Sequence, residues 1–274
     1  MMDAMDCLGC SDYTSYKQLH LGVILKTHLR ICQAILTRKP EWSRREYHYF
    51  DLNAGPGLYL YQDEFIKGSP LLFCEAWRTI AIPCQAHFFE INDSLRTELI
   101  WHLRNFMDHH PEMAFSFLGD HRKFLPCYFD EADAQKPRKK FGLVYSDPTG
   151  QLPPFNLLAR MFKGKSYSTL DVLIYLSATN IKRQLFAYGC KLNQRLEDLL
   201  QAIPKKYWIV REPCGRHQWT FLLGTNWTNF PIFETLGFHR IDSAIGKSII
   251  TKLNYTNEEM KDGEAITSHH APAL

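Results

Sequence analysis

"YFDLNAGPGLY", Tyr49 to Tyr59, is the stretch that decides the fold. Tyr47 to Leu52 alternates and mixes aromatic with aliphatic side chains, as a strand does. Gly55-Pro56-Gly57 then ends it with two positions that tolerate positive φ and a close backbone neighbour. The rest of the chain must say what that neighbour is.

Working outward, "YKQLHLGVILKTHLRICQAIL" (16–36) carries Leu21, Ile24, Leu25, His28, Ile31, Cys32 and Ile35 near helical spacing, which predicts an amphipathic helix. Downstream of the glycines, Tyr59 to Gly68 reads as a long loop. Ser69-Pro70 then opens a helix, with Ser69 as cap and Pro70 at the first helical position. Further strands follow at "PCQAHFFEIN", ending in Glu90, at "EMAFSFLGD", ending near Asp120, at "FGLVYSDPTG", ending at Asp147, and at Thr169 to Thr179. Helices separate them except before "FGLVYSDPTG", where a polar stretch over 130–140 leads into the strand. "KKYWIVREP" and "HQWTFLLGTN" are spaced to pair as a hairpin around Cys214-Gly215. Strands alternating with helices predict a mostly parallel sheet covered on both faces. The organisation expected is an N-terminal helical segment over 1–45, one α/β domain over 46–253, and a loose tail over 254–274.

With 274 residues, 45% hydrophobic and 22% charged, the chain has a globular composition. Its net charge of +3 permits a nucleic-acid partner without arguing for one. No apolar run approaches the roughly 20 residues of a membrane helix, and the N-terminus lacks a signal-peptide pattern. A cytoplasmic protein without a membrane partner is expected. The eight cysteines read as reduced thiols, and Cys7-x-x-Cys10 lacks two further ligands at a familiar metal spacing. No metal is expected.

Three ligands compete for the glycine loop. A nucleotide-phosphate loop needs Lys-Ser or Lys-Thr after its last glycine, and none is there. A dinucleotide fingerprint needs a third glycine, where the register offers Leu60. S-adenosylmethionine has no phosphate and asks for acids: one for its ammonium, one for the ribose diol, one near the adenine amino group. Asp51, Glu90 and Asp120 stand at the ends of successive strands, where ligands sit in open α/β sheets. Asn53, Ala54, Gly55 and Gly57 complete the loop. Singly, Asp51 also reads as a turn cap, Glu90 as a surface acid, and Asp120 as loop polarity.

"YSDPTG" at the fourth strand end is the second signal. An acid and a proline carbonyl accept the hydrogens of a planar amino group and leave its lone pair free for a methyl. Asp147 and Pro148 supply that half, while Thr149-Gly150 replace the expected proline and aromatic. Phe155 reads equally as a stacking residue or as core. Lys163, Lys165, Lys182 and Arg183 are read on the same side of the sheet as a phosphate track, or as ordinary solvated surface.

These segments resemble the class I S-adenosylmethionine-dependent methyltransferases. "YFDLNAGPGLY", "GSPLL", "FFEIN", "YSDPTG" and "LDVLIYLSATNIKRQL" fall in the order of the three-Cys-motif partner (TcmP) family. "DLNAGPGLY…GSPLL" is also similar to the adenine-N6 methyltransferases of ribosomal RNA. The resemblance implies a Rossmann-like sheet of seven strands with a C-terminal antiparallel hairpin. It implies Asp51, Gly55, Gly57 and Glu90 around the cofactor, and Asp147 with Pro148 at the transfer site. It departs at the missing Pro-aromatic pair and at Asn53, where those relatives carry an aromatic or His. The expected function is methyl transfer to nucleic acid, an adenine amino group among the acceptors considered. The alternatives are a protein or small-molecule acceptor, or a non-catalytic binding module. The family's name suggests a protein partner, which no residue here identifies.

Overall fold

A computed structural model describes residues 14–38, 46–80, 82–134, 140–149, 151–177, 195–213, 219–228 and 230–254. Eight strands form one sheet. In chain order they are β1 (Tyr47–Asp51), β4 (Cys84–Phe89), β5 (Met113–Leu118), β6 (Phe141–Ser146), β7 (Asp171–Ser177), β8 (Tyr207–Arg211), β9 (Trp219–Thr225) and β10 (Phe238–Arg240). Their spatial order is β5-β4-β1-β6-β7-β9-β8-β10. The first five run parallel, β9 enters antiparallel between β7 and β8, and β10 adds antiparallel to β8. The parallel sheet and closing hairpin are as expected. The eighth strand is not, because three residues at an edge leave little pattern to read.

Strands buried on both faces read as unbroken apolar runs, which explains why β1, β6 and β7 were visible in the sequence. Tyr47, Tyr49, Phe88, Leu143, Tyr145 and Phe221 pack on one face beneath α1 (Thr14–Arg38), α2 (Ser69–Arg78) and α3 (Asp93–His109). Phe50, Val144, Val172, Ile174 and Leu222 pack on the other, beneath α4 (His121–Ala134), α5 (Phe155–Lys163), α6 (Leu196–Gln201) and α8 (Ala244–Asn254). A short α7 (Pro231–Glu234) precedes β10.

Helix α1 amends one expectation. Its 25 residues are long and apolar enough, by length and composition, to cross a membrane. Leu21, Leu25, Leu29 and Cys32 nevertheless lie in the sheet's core. The helix is also pinned by a buried polar network. His28 Nε2 lies 3.0 Å from Asp171 Oδ2, the Tyr47 hydroxyl donates to His28 Nδ1 at 2.8 Å, and Trp227 stacks on the imidazole.

The segment after the glycine loop is not a loop. β2 (Leu58–Tyr61) and β3 (Glu64–Lys67) form a separate two-stranded ribbon, closed by Gln62 and Asp63 at φ 50° and 62°. Two consecutive positive φ values are the requirement of a tight hairpin turn, more often met by Asn-Gly. One helix start also differs from expectation. Gly68 precedes α2, and Ser69 makes no cap. Helix α3 is capped by Asn92, whose side chain accepts from the backbone of Ser94 and Leu95.

Candidate functional site

Register brings the acids together. Asp51 stands opposite Tyr145 of β6 and Phe88 of β4, so Glu90, Asp51 and Asp147 leave three adjacent strands at their carboxyl ends. Asn53 links two of them: its N–H donates to Asp51 Oδ1 at 3.2 Å, and its side-chain oxygen accepts from the Asp147 N–H at 3.2 Å. Glu90 holds the glycine loop, its Oε2 accepting from the Gly55 N–H at 2.9 Å and its Oε1 from the Asn92 N–H at 2.8 Å. Ala54 is tied to β4 through the Phe89 carbonyl at 2.9 Å.

Asp51 is wholly buried. Burial pushes its carboxyl from 3.8 up to about 7. Hydrogen bonds from the Ser69 hydroxyl, the Asn53 N–H and the Tyr49 hydroxyl oppose that rise, and the nearby charge of Asp147 adds to it. Ser69 is therefore a site residue that was mistaken for a helix cap. The rule for helix starts places a serine before Pro70 correctly but does not say which way it turns.

Asp147 has a partner from a distant part of the chain. Lys17 Nζ, in the first turn of α1, lies 2.8 Å from its Oδ2, and the Tyr145 hydroxyl donates to the same oxygen at 3.0 Å. The Lys17 ammonium also sits 4.7 Å from the centroid of the Tyr175 ring. Nothing in the sequence signals this contact across 130 residues.

Tyr59, on β2, lies among the same acids. Burial and the charges of Asp147, Asp51 and Glu90 all push its hydroxyl well above the usual range. Gly55 and Gly57 have φ of 62° and 81°. A Cβ on Gly55 would collide with the Tyr59 hydroxyl, and one on Gly57 would come within 2.8 Å of Leu99 Cδ1. The loop's close neighbour in this structure is thus a tyrosine.

The other candidates lie apart. Asp120 starts α4, accepting from the Arg122 N–H at 2.9 Å and pairing with its guanidinium at 2.8 Å. Phe155 is buried in the core cluster of the α5 face. Pro148 directly follows Asp147 and is half-buried. Lys163 and Lys165 correct the reading of a phosphate track. Lys163 ends α5 and Lys165 follows it, both before β7, and the neighbouring Ser166 carbonyl accepts from the Lys140 N–H at the start of β6. Helix α5 runs back along the sheet, so both lysines belong to the end opposite the acids. Lys182 and Arg183, like Cys7 and Cys10, lie outside the described residues.

No family model and no curated protein matches this sequence. Among solved structures, the chain is similar to the DszA carbon methyltransferase, at 12% identity and a TM-score of 0.45 over 74% of this chain and 53% of that one. It is similar to the citrinin polyketide synthase CMeT domain at 11% and 0.42, over 66% and 46%. It is also similar to the Methanococcus jannaschii fibrillarin pre-rRNA processing protein at 15% and 0.40, over 67% of each. The chain spans about half the length of the first two.

The donor set fits S-adenosylmethionine. Asp51 is a sealed carboxylate with no cation beside it among the described residues, and a sulfonium ligand bearing an ammonium would supply one. Glu90 carries the second carboxylate at the loop, suited to a diol. Bound there, the cofactor would supply an electrophilic methyl group.

Proposed function

We propose that this chain transfers a methyl group from S-adenosylmethionine to a nucleic acid. One observation carries the reading: Glu90, Asp51 and Asp147 converge at the carboxyl ends of three adjacent strands around a glycine loop, and Asp51 is buried without a cationic partner among the described residues. In this reading Asp51, Glu90 and the backbone of Asn53, Ala54, Gly55 and Gly57 hold the cofactor, with Asp120 at the outer edge. Asp147 and Pro148 face the acceptor. Their task is alignment and exclusion of water, because the sulfonium methyl is already activated.

A nucleic-acid acceptor is supported by the group beside Asp147. Tyr16 of α1, half-exposed, packs edge-on to His20 and to the buried Trp219, with ring centroids 4.4 and 6.0 Å away, and the ammonium of the next residue, Lys17, lies over the Tyr175 ring. Aromatic faces next to cations are the usual means of holding bases and phosphates. The order of matching segments keeps the three-Cys-motif partner family as the proposed kinship and the cytoplasm as the proposed location.

Calorimetric titration with S-adenosylmethionine tests the cofactor. Saturable binding is expected for the native chain, weakened at least about tenfold in Asp51→Asn by loss of a charge-assisted contact. No binding, or equal binding by both proteins, rules the reading out.

A further inference from the structure

We infer that the atom methylated is a hydroxyl oxygen of RNA, a ribose 2′-hydroxyl, and that Lys17 is the residue that selects it. The inference rests on the methyl-transfer reading above and concerns the acceptor half of the same site.

Asp147 is already paired before any acceptor arrives. Its Oδ2 accepts from the Lys17 ammonium at 2.8 Å and from the Tyr145 hydroxyl at 3.0 Å, and both partners of the ion pair are mostly buried. The carboxylate therefore meets the acceptor with its charge already balanced. A planar amino group is a neutral nucleophile that becomes cationic as it takes a methyl. It needs an unbalanced carboxylate, and an ammonium a few ångströms away opposes the charge it develops.

A hydroxyl has the opposite requirement. It attacks as it loses a proton, so negative charge gathers on oxygen, and the same ammonium stabilises it. The residues after Pro148 agree with this sign. Thr149 is exposed, and no proline or aromatic follows Asp147-Pro148 to flank a flat base. The basic and aromatic group on α1 adjoins Lys17 in sequence. Tyr16 is 47% exposed, and the Arg211 guanidinium donates to His20 Nε2 at 3.3 Å. That arrangement suits a strand whose bases and phosphates dock around a reacting sugar.

In the step itself, the acceptor's O–H bond breaks and its proton passes to the Asp147 carboxylate. The oxygen forms its bond to the methyl carbon, and the electron pair of the methyl–sulfur bond remains on sulfur as a neutral thioether. Lys17 keeps its proton throughout. Its role is to lower the cost of the oxyanion.

The test uses the full chain, tritiated S-adenosylmethionine and total cellular RNA, followed by alkaline hydrolysis. A methyl on the 2′-oxygen blocks strand cleavage at that nucleotide, so the label is expected in alkali-resistant dinucleotides. Label in mononucleotides, N6-methyladenosine included, overturns the inference, as does an unlabelled RNA fraction from a protein that binds the cofactor by calorimetry. A protein that binds no cofactor fails the methyl-transfer reading itself, and calorimetry reports that separately.

Lys17→Met, which keeps the aliphatic stem over Tyr175, is expected to bind the cofactor as the native chain does and to lose transfer about a hundredfold. Its rate should climb about tenfold per pH unit where the native profile is level, because the hydroxyl no longer has a cation to ease its ionisation. Lys17→Arg should restore most of the rate. Equal losses of cofactor affinity and transfer in Lys17→Met would place Lys17 in the cofactor pocket and overturn its role in selection.

Discussion

Among the described residues, two carboxylates are sealed into this sheet, at opposite ends and in opposite circumstances. Asp171 begins β7 and lies 3.0 Å from His28 of α1, which in turn accepts from Tyr47. Asp51 ends β1 and has hydroxyls and a backbone N–H around it but no cation among the described residues. The first arrangement is closed: each group answers another, and the result fastens a helix to the sheet. The second is open, and its carboxyl is pushed up to about 7 because burial is not matched by an opposite charge. Burial alone does not separate a structural acid from a functional one. The presence of a partner does.

The sharpest way to break this contrast is at the closed end. His28→Ala should strip buried Asp171 of its hydrogen-bonding partner, leaving only the more distant charge of Lys205, with a loss of roughly 3–5 kcal/mol in urea unfolding. A loss under about 1 kcal/mol would show that the network is ornamental.

At the open end the sign reverses. The folded carboxyl of Asp51 titrates near 7 against 3.8 unfolded, so the folded state binds the extra proton in between and stability falls as pH rises through that window. Asp51→Asn removes the penalty. It should be more stable than the native chain by up to about 4 kcal/mol at pH 8, with the difference vanishing towards pH 4. Subtracting the two curves also removes the opposing contribution of His48 and His87. Burial pushes those imidazoles down to about 3 and about 4, so they cost stability as pH falls below their usual range. A variant that is less stable at pH 8 would make Asp51 structural. The smallest effect belongs to Tyr47→Phe, which deletes the 2.8 Å hydrogen bond to His28 and should cost about 1 kcal/mol in the same unfolding assay.

The same contrast explains what was legible in the sequence. The central parallel strands β1, β6 and β7 announced themselves because doubly buried strands are continuous apolar runs, and β1, β4, β5 and β6 are each ended or followed by an acid or a glycine. Asp51, Glu90 and Asp147 could be placed on one rim because strand ends in a parallel sheet share a side. The β2–β3 ribbon escaped because Gln62-Asp63 is an uncommon pair for a tight turn, and β10 because it is three residues long. Helix α4 escaped because Pro126 interrupts its pattern and its end runs into the polar stretch over 130–140. Ser69 was read for its backbone role, while its side chain turned towards Asp51. Lys17 was beyond reach: its partner is set by how α1 lies on the sheet, which no local pattern encodes. The misplaced lysines after α5 teach a related lesson, since counting from a strand end loses its direction once a helix has run back.

The tyrosine on the β2–β3 ribbon has one further consequence. Since Tyr59 rides on two strands outside the main sheet, its phenol can be withdrawn without disturbing a single rung of the eight-stranded ladder. On the proposed reading, an adenosyl compound reaching the Gly55 backbone would meet that phenol, which a Cβ at position 55 would already strike.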